Sequence, residues 1–121
     1  MTKKYEQAGE VLDYTNSTGS DISAGDIVEM QNVVAVALED IADTTTGSVK
    51  VTGVFRDMPK ETGTAWVQGD ELDWDTSVGV FGKGITPATG DITGCAIAAA
   101  DADSADTTGK VLLARIPGTI N

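Results

Sequence analysis

Apolar and polar residues alternate along much of this chain. Between Gln31 and Asp57 the sequence is QNVVAVALEDIADTTTGSVKVTGVFRD, with Val33, Val34, Val36 and Leu38 forming an apolar run. The acidic, small-residue stretch from Glu39 to Gly47 turns the chain. Val49, Val51 and Phe55 then lie to one side, with Ser48, Lys50, Thr52 and Arg56 on the other. Alternation of β-branched residues with period two predicts half-buried strand, so the segment reads as a β-hairpin with a long tip. Gly53 interrupts the apolar side, which suits a bulge or a close backbone approach.

The same pattern returns between Gly94 and Ile116, GCAIAAADADSADTTGKVLLARI. Cys95-Ala-Ile97-Ala aligns with Val33-Val-Ala-Val. Asp101, Asp103 and Asp106 echo the acidic tip, and Val111 and Leu113 take the places of Val49 and Val51. A Gly-Asp-Ile turn precedes each unit, Gly25-Asp26-Ile27 and Gly90-Asp91-Ile92. The two hairpins read either as a pseudo-repeat or as reuse of one turn chemistry.

Elsewhere, strands are predicted over Glu10 to Thr15, Ile27 to Met30 and Glu71 to Asp75, with Leu72 and Trp74 on one face of the last. Met58 to Gly63 reads as a break, because Pro59 lacks a donor and Gly63 invites a turn. Val78 to Gly82 and Lys83 to Thr86 suit a short hairpin. The weak helical candidates are Pro59 to Ala65 and the alanine-rich Ala96 to Ala105. Many short strands punctuated by glycine turns predict an all-β fold, a small single-domain β-sandwich or β-barrel. The expected division is an arm over residues 1–9 and one β domain over 10–121. Trp66, Trp74, Val49, Val51 and Phe55 are the expected core.

With 121 residues, the chain has room for one modest core. Only six residues are aromatic, and much of the 40% hydrophobic content is alanine and valine. A core of such small side chains gains from neighbours, since oligomerisation adds buried area. The net charge is −11, from 19 acidic and 8 basic residues. Neutralising phosphates needs clustered cations, and beyond Lys3-Lys4 the sequence has no such cluster, so no nucleic-acid partner is expected. No apolar run approaches a membrane span, and the polar N-terminus lacks the apolar core of a signal peptide. Synthesis in a reducing cytoplasm is expected. Cys95, the single cysteine, has no partner for an internal disulfide and sits in an apolar run, which favours a buried thiol over a reactive one.

Candidate chemistry is sparse. The chain contains no histidine, the commonest general base and transition-metal ligand. Cys95 therefore lacks a Cys-His pairing, and the serines sit in turn contexts without a nucleophile elbow. Gly79-Val-Phe-Gly82-Lys83-Gly84 fails as a phosphate loop, because glycine follows the lysine and no helix is predicted after it. Asp101-x-Asp103-x-x-Asp106 and Asp73-x-Asp75 offer oxygens but not the spacing of a calcium loop, and read as solvated turns. No catalytic residue, cofactor or metal is expected, and the chain reads as a non-enzyme.

Several blocks together resemble a known family. They are Tyr5-x-Gln7-x-Gly9-x-x-Leu12-Asp13-Tyr14-Thr15, Ser23-Ala24-Gly25-Asp26-Ile27-Val28, Val34-Ala-Val-Ala37, Gly53-Val-Phe55 with Pro59-Lys60, Ala65-Trp66-x-Gln68-Gly69-Asp70-x-Leu72-x-Trp74-Asp75 and Gly94-Cys-Ala-Ile-Ala98. In order and spacing they resemble short phage proteins described as capsid cement or head decoration proteins, some carrying an older label as RecA/RadA-like recombinases. The resemblance implies a small β-rich protein of the virion that binds the outside of the assembled head, with the major capsid protein as partner. A homo-oligomer is expected, a trimer favoured over a dimer. The basic arm contrasts with an acidic body, so Thr2, Lys3, Lys4, Tyr5, Glu6 and Gln7 are the candidate capsid contacts, adding backbone to a sheet edge. Two competing readings are a DNA-recombination accessory protein and a carbohydrate-binding module. The latter would need Tyr14, Trp66 or Trp74 as a stacking platform.

Overall fold

The computed structural model describes residues 7–121, and the described chain is entirely β-strand and loop. Ten strands follow in order: β1 (Val11–Thr15), β2 (Ile27–Met30), β3 (Val33–Ala37), β4 (Thr46–Lys50), β5 (Thr52–Pro59), β6 (Glu71–Asp75), β7 (Val80–Gly82), β8 (Ile92–Ala98), β9 (Thr108–Ala114) and β10 (Thr119–Ile120). They form two antiparallel sheets. The first has the order β1-β4-β3-β2, and the second β5-β9-β8-β6-β7 with β10 paired to β8. The fold is thus an all-β sandwich.

The two sheets repeat one four-stranded plan, since β5-β9-β8-β6 follows the order of β1-β4-β3-β2. Register makes the match residue by residue. The cross-strand row Val11–Lys50–Val36–Ile27 in the first sheet corresponds to Val54–Leu112–Ile97–Glu71 in the second. The repeat therefore extends well beyond the two hairpins seen in the sequence, and its alignment shifts by one residue. Cys95 occupies the place of Val34, not Val33. The turn equivalent to Gly25-Asp26 is Gly69-Asp70.

The tight turns share one construction. In Ser23-Ala24-Gly25-Asp26 the Asp26 amide donates to the Ser23 carbonyl at 3.0 Å, and the Ser23 amide donates back to Asp26 Oδ2 at 3.0 Å. Gly25 has φ 91°, a conformation that costs glycine little. Val67 to Asp70 and Ala88 to Asp91 repeat both bonds. Each glycine amide then donates to a backbone carbonyl elsewhere in its unit, Gly25 to Ala37, Gly69 to Ala98 and Gly90 to Asn121. The aspartate caps the turn and the glycine lets it close.

Packing is asymmetric. One face of the first sheet presents Val34 and Val36, which join Leu72, Trp74, Phe81, Ala96, Ala98, Val111 and Leu113 in the larger cluster between the sheets. Trp74 meets the edge of Phe81 at 4.9 Å between centroids, and its indole N–H donates to Glu29 Oε1 at 2.7 Å across the sheets. The opposite face of the first sheet carries a smaller aliphatic cluster of Val28, Ala35, Ala37, Ile41, Val49 and Val51.

Several sequence expectations change. The strand expected to run from Val49 to Phe55 divides at Val51: Val49 and Val51 stay in the aliphatic cluster, while Phe55 packs against the other. Gly53, at φ 127°, lies just past this crossover. Pro59 ends β5, an edge strand where its missing donor is tolerated. Phe55 and Met58 flank a register shift, with Asp57 at φ 58°. Val80–Gly82 pairs back onto β6 rather than with Lys83 to Thr86. Of the alanine-rich stretch Ala96 to Ala105, the first three residues end β8, where buried sheet positions outweigh helix propensity, and the rest is loop.

Candidate functional site

Of the candidate capsid contacts, Thr2, Lys3, Lys4, Tyr5 and Glu6 lie outside the described residues. Gln7 is described: its Nε2 donates to the Val11 carbonyl of β1 at 2.8 Å. The expected core residues Trp66, Trp74, Val49 and Val51 are buried, Trp66 at 1% exposure and Trp74 at 7%. Neither tryptophan presents an open face for stacking on a sugar. Trp66 donates from Nε1 to the Ala100 carbonyl at 3.0 Å, and Lys60 Nζ lies 5.3 Å from the centroid of its ring.

Two buried polar groups occupy equivalent places. The Asn16 amide donates to the Thr45 carbonyl and Asn16 Nδ2 to the Ser20 and Ile41 carbonyls. Correspondingly, the Lys60 amide donates to Thr107, and Lys60 Nζ to the Glu61 and Thr64 carbonyls at 2.8 Å. Asn16 thereby joins the loop that follows it to the Ile41 loop, and Lys60 ties down its own following loop by supplying a donor to the Glu61 and Thr64 carbonyls. Neither is placed to act on a substrate.

The carboxylates are used in the same way. Asp73, buried against sequence expectation, accepts from the Gly94 and Ile85 amides. Asp91, also buried, accepts from Thr76 and Ala88. The Val67 amide, ahead of the Lys83 ammonium at 3.1 Å, holds the Asp70 carboxyl below its usual range. The Ser77 hydroxyl does the same for Asp75. Asp101 accepts from the Gln68 amide, and Asp106 from Asp103. Among the described residues, no group of three potential ligands is placed to hold a metal. Lys83, in the glycine-rich segment that resembled a phosphate loop, is committed to Asp70. Burial, then the nearby Asp73 charge, pushes the Cys95 thiol up to about 12. This thiol stays protonated near neutrality and is a poor nucleophile.

What remains available is surface. An apolar groove of about 410 Å³ opens on the first sheet between Gly9, Leu12, Met30, Val33, Val51 and Arg115. On the second sheet, Val54 is 60% exposed beside half-buried Leu112 and Ile97. Sequence reasoning missed both. Each residue sits in an ordinary strand pattern, and only the pairing of sheet faces shows which side is left uncovered. An exposed contiguous apolar patch signals association.

A family described as phage cement protein matches residues 6–113, which covers the first sheet and the second as far as Leu113 in β9. The chain belongs to the phage cement protein family. Proteins of this family are structural components associated with the capsid. No curated protein matches the chain in sequence. Among the described residues, no helix is long and apolar enough to cross a membrane.

Proposed function

We propose that this chain is a decoration protein that binds the outer surface of the assembled major-capsid-protein shell and stabilises the head, without catalysis, cofactor or nucleic-acid partner. The family match across residues 6–113 carries the reading. Three features support it. Aspartate-capped turns and two buried apolar clusters, one of them shared by both sheets, suit a rigid body. A net charge of −11 keeps that body soluble. The polar groups described above are spent on holding loops rather than poised around a cleft. Residues 10–121 form the body and residues 1–9 an arm, in which Thr2, Lys3, Lys4, Tyr5, Glu6 and Gln7 contact the capsid subunit by strand addition at a sheet edge. The protein acts as a homo-oligomer, a trimer in preference to a dimer, and many weak contacts on a symmetric lattice combine into firm attachment. It assembles onto heads in the host cytoplasm.

The test mixes purified protein with bare expanded heads and measures co-pelleting and heat resistance of the shells. Saturable co-pelleting and a raised disruption temperature are expected. Deleting Met1 to Gln7 should abolish co-pelleting while leaving the circular dichroism spectrum unchanged. Undiminished binding by the shortened chain would reject the arm as the contact, and a chain that ignores heads altogether would reject the function.

A further inference from the structure

The interface between the two sheets contains its own instructions for a contact between molecules. In the first sheet, Val36 and Ile27 belong to the row Val11–Lys50–Val36–Ile27, and both pack into the cluster lined by Trp74 and Leu113, with Phe55 at its margin. The contact is therefore directional: one face of the first unit seats on the opposite kind of face of the second. A directional contact between two similar units leaves one of each surface unused.

Both unused surfaces are present. The row equivalent to Val11–Lys50–Val36–Ile27 is Val54–Leu112–Ile97–Glu71, on the outer face of the second sheet. Lys50 is replaced there by Leu112, so the three residues Val54, Leu112 and Ile97 form a continuous apolar strip. The surface equivalent to Phe55, Trp74 and Leu113 is Leu12, Met30 and Val51, on the first sheet. Those three residues line the open groove. The strip ends in exposed Glu71, and Arg115 lines the groove, so the two surfaces carry opposite charges.

We propose that copies of this chain associate head to tail, with the Val54–Leu112–Ile97 strip of one copy seated on the Leu12–Met30–Val33–Val51 groove of the next. The contact repeats between molecules the one already made within each molecule. Strip and groove are different surfaces, so the contact is heterologous and does not build a twofold dimer; we take the rotation between copies to close it into a ring rather than an open filament. The proposal deepens the self-association in the proposed function and rests on it, but it needs no capsid.

Sedimentation velocity of the full chain over a wide concentration range tests it, with Val54→Asp breaking the strip and Leu12→Asp breaking the groove. Leu12 is 37% exposed, so both changes lie at accessible positions. The unaltered chain should sediment as a closed oligomer and each variant as a folded monomer. An equimolar mixture of the two variants should form pairs and nothing larger at high concentration, because one supplies an intact groove and the other an intact strip. Met30→Gln replaces Leu12→Asp should the latter fail to fold. Variants that keep the oligomeric mass would overturn the surfaces while leaving self-association standing. An unaltered chain that stays monomeric throughout would overturn both. A mixture that fails to pair would show that strip and groove do not meet. Removing residues 1–6 should leave the mass unchanged, and its collapse to monomer would identify a neighbour's arm as the occupant of the groove instead.

Discussion

The first and second sheets share a topology and differ in how they fill it. Each unit has a bridge between two loops, Ile22 with Ile41 in the first and Trp66 with Ala102 in the second. Each also has a glycine on its returning strand, Gly47 in β4 and Gly109 in β9, directly beneath that bridge. In the first unit Ile41 fills the space over the glycine, and in the second Trp66 fills it from the opposite loop. Two medium side chains in one unit are balanced by a large and a small one in the other. A backbone plan can thus persist while the residue that plugs it changes strand, provided the total volume is kept. The second unit also gains β7, whose Phe81 covers Trp74. Among the described residues the first has no such cover, and its groove is open.

The sharpest way to break this comparison is to remove the plugs. Trp66→Ala should cost about 3–5 kcal/mol, measured by denaturant unfolding. Its positional equivalent Ile22 is only half-buried, so Ile22→Ala should cost roughly half as much, and less than Ile41→Ala. Equal losses at Ile22 and Ile41 would contradict the exchange of plugs. Filling the space beneath comes next. A methyl group at Gly109 meets the rigid indole of Trp66, whereas one at Gly47 meets the more flexible Ile41 side chain. Gly109→Ala should cost about 2–3 kcal/mol and Gly47→Ala about 1 kcal/mol. The Gly109 penalty should shrink in a Trp66→Leu background, and simple additivity there would show that the two do not compete for space.

The buried polar pair sharpens the comparison further. Asn16 is fully buried, and Asn16→Ala removes one donor from each of the Ser20 and Ile41 carbonyls and the acceptor of the Thr18 amide, at about 1–3 kcal/mol. Lys60→Met also frees two carbonyls, but it removes a charge held at 3% exposure. The smaller desolvation burden should hold its cost below about 1 kcal/mol. A larger loss at Lys60 than at Asn16 would mean that the ammonium contributes more than its burial costs.

The smallest effect concerns Cys95, which stands where the first unit has Val34. The unfolded thiol loses its proton near 9, while the folded one holds it to about 12. The stability it contributes is complete below pH 9 and is lost as pH rises toward 12. Cys95→Val should remove that part of the alkaline destabilisation. A thiol reagent at pH 8 should label the native chain negligibly and the unfolded chain fully; rapid native labelling would place the thiol at the surface.

Local chemistry made much of this protein legible beforehand. The alternation of Val49 and Val51, the aspartates capping Gly25-Asp26 and Gly90-Asp91, and the apolar setting of Cys95 all express preferences over a few residues, and strands, turns and a buried thiol follow from them. Pairing across long separations was not legible. Alternation continues unbroken through Val51, and the interruption at Gly53 reads as a bulge or a close approach, without saying that the chain leaves one sheet for the other there. Asp73 reads as an outward-facing carboxylate until the Gly94 and Ile85 amides are brought to it. The Val54–Leu112–Ile97 strip draws on three separate strands, and its exposure depends on which face the other sheet covers. The sequence by itself determined the strands, the turns that end them and the acidic, β-rich character of the chain. Which faces meet and which stay open was decided by tertiary structure, because a period-two pattern specifies two sides of a strand without saying what lies opposite either one.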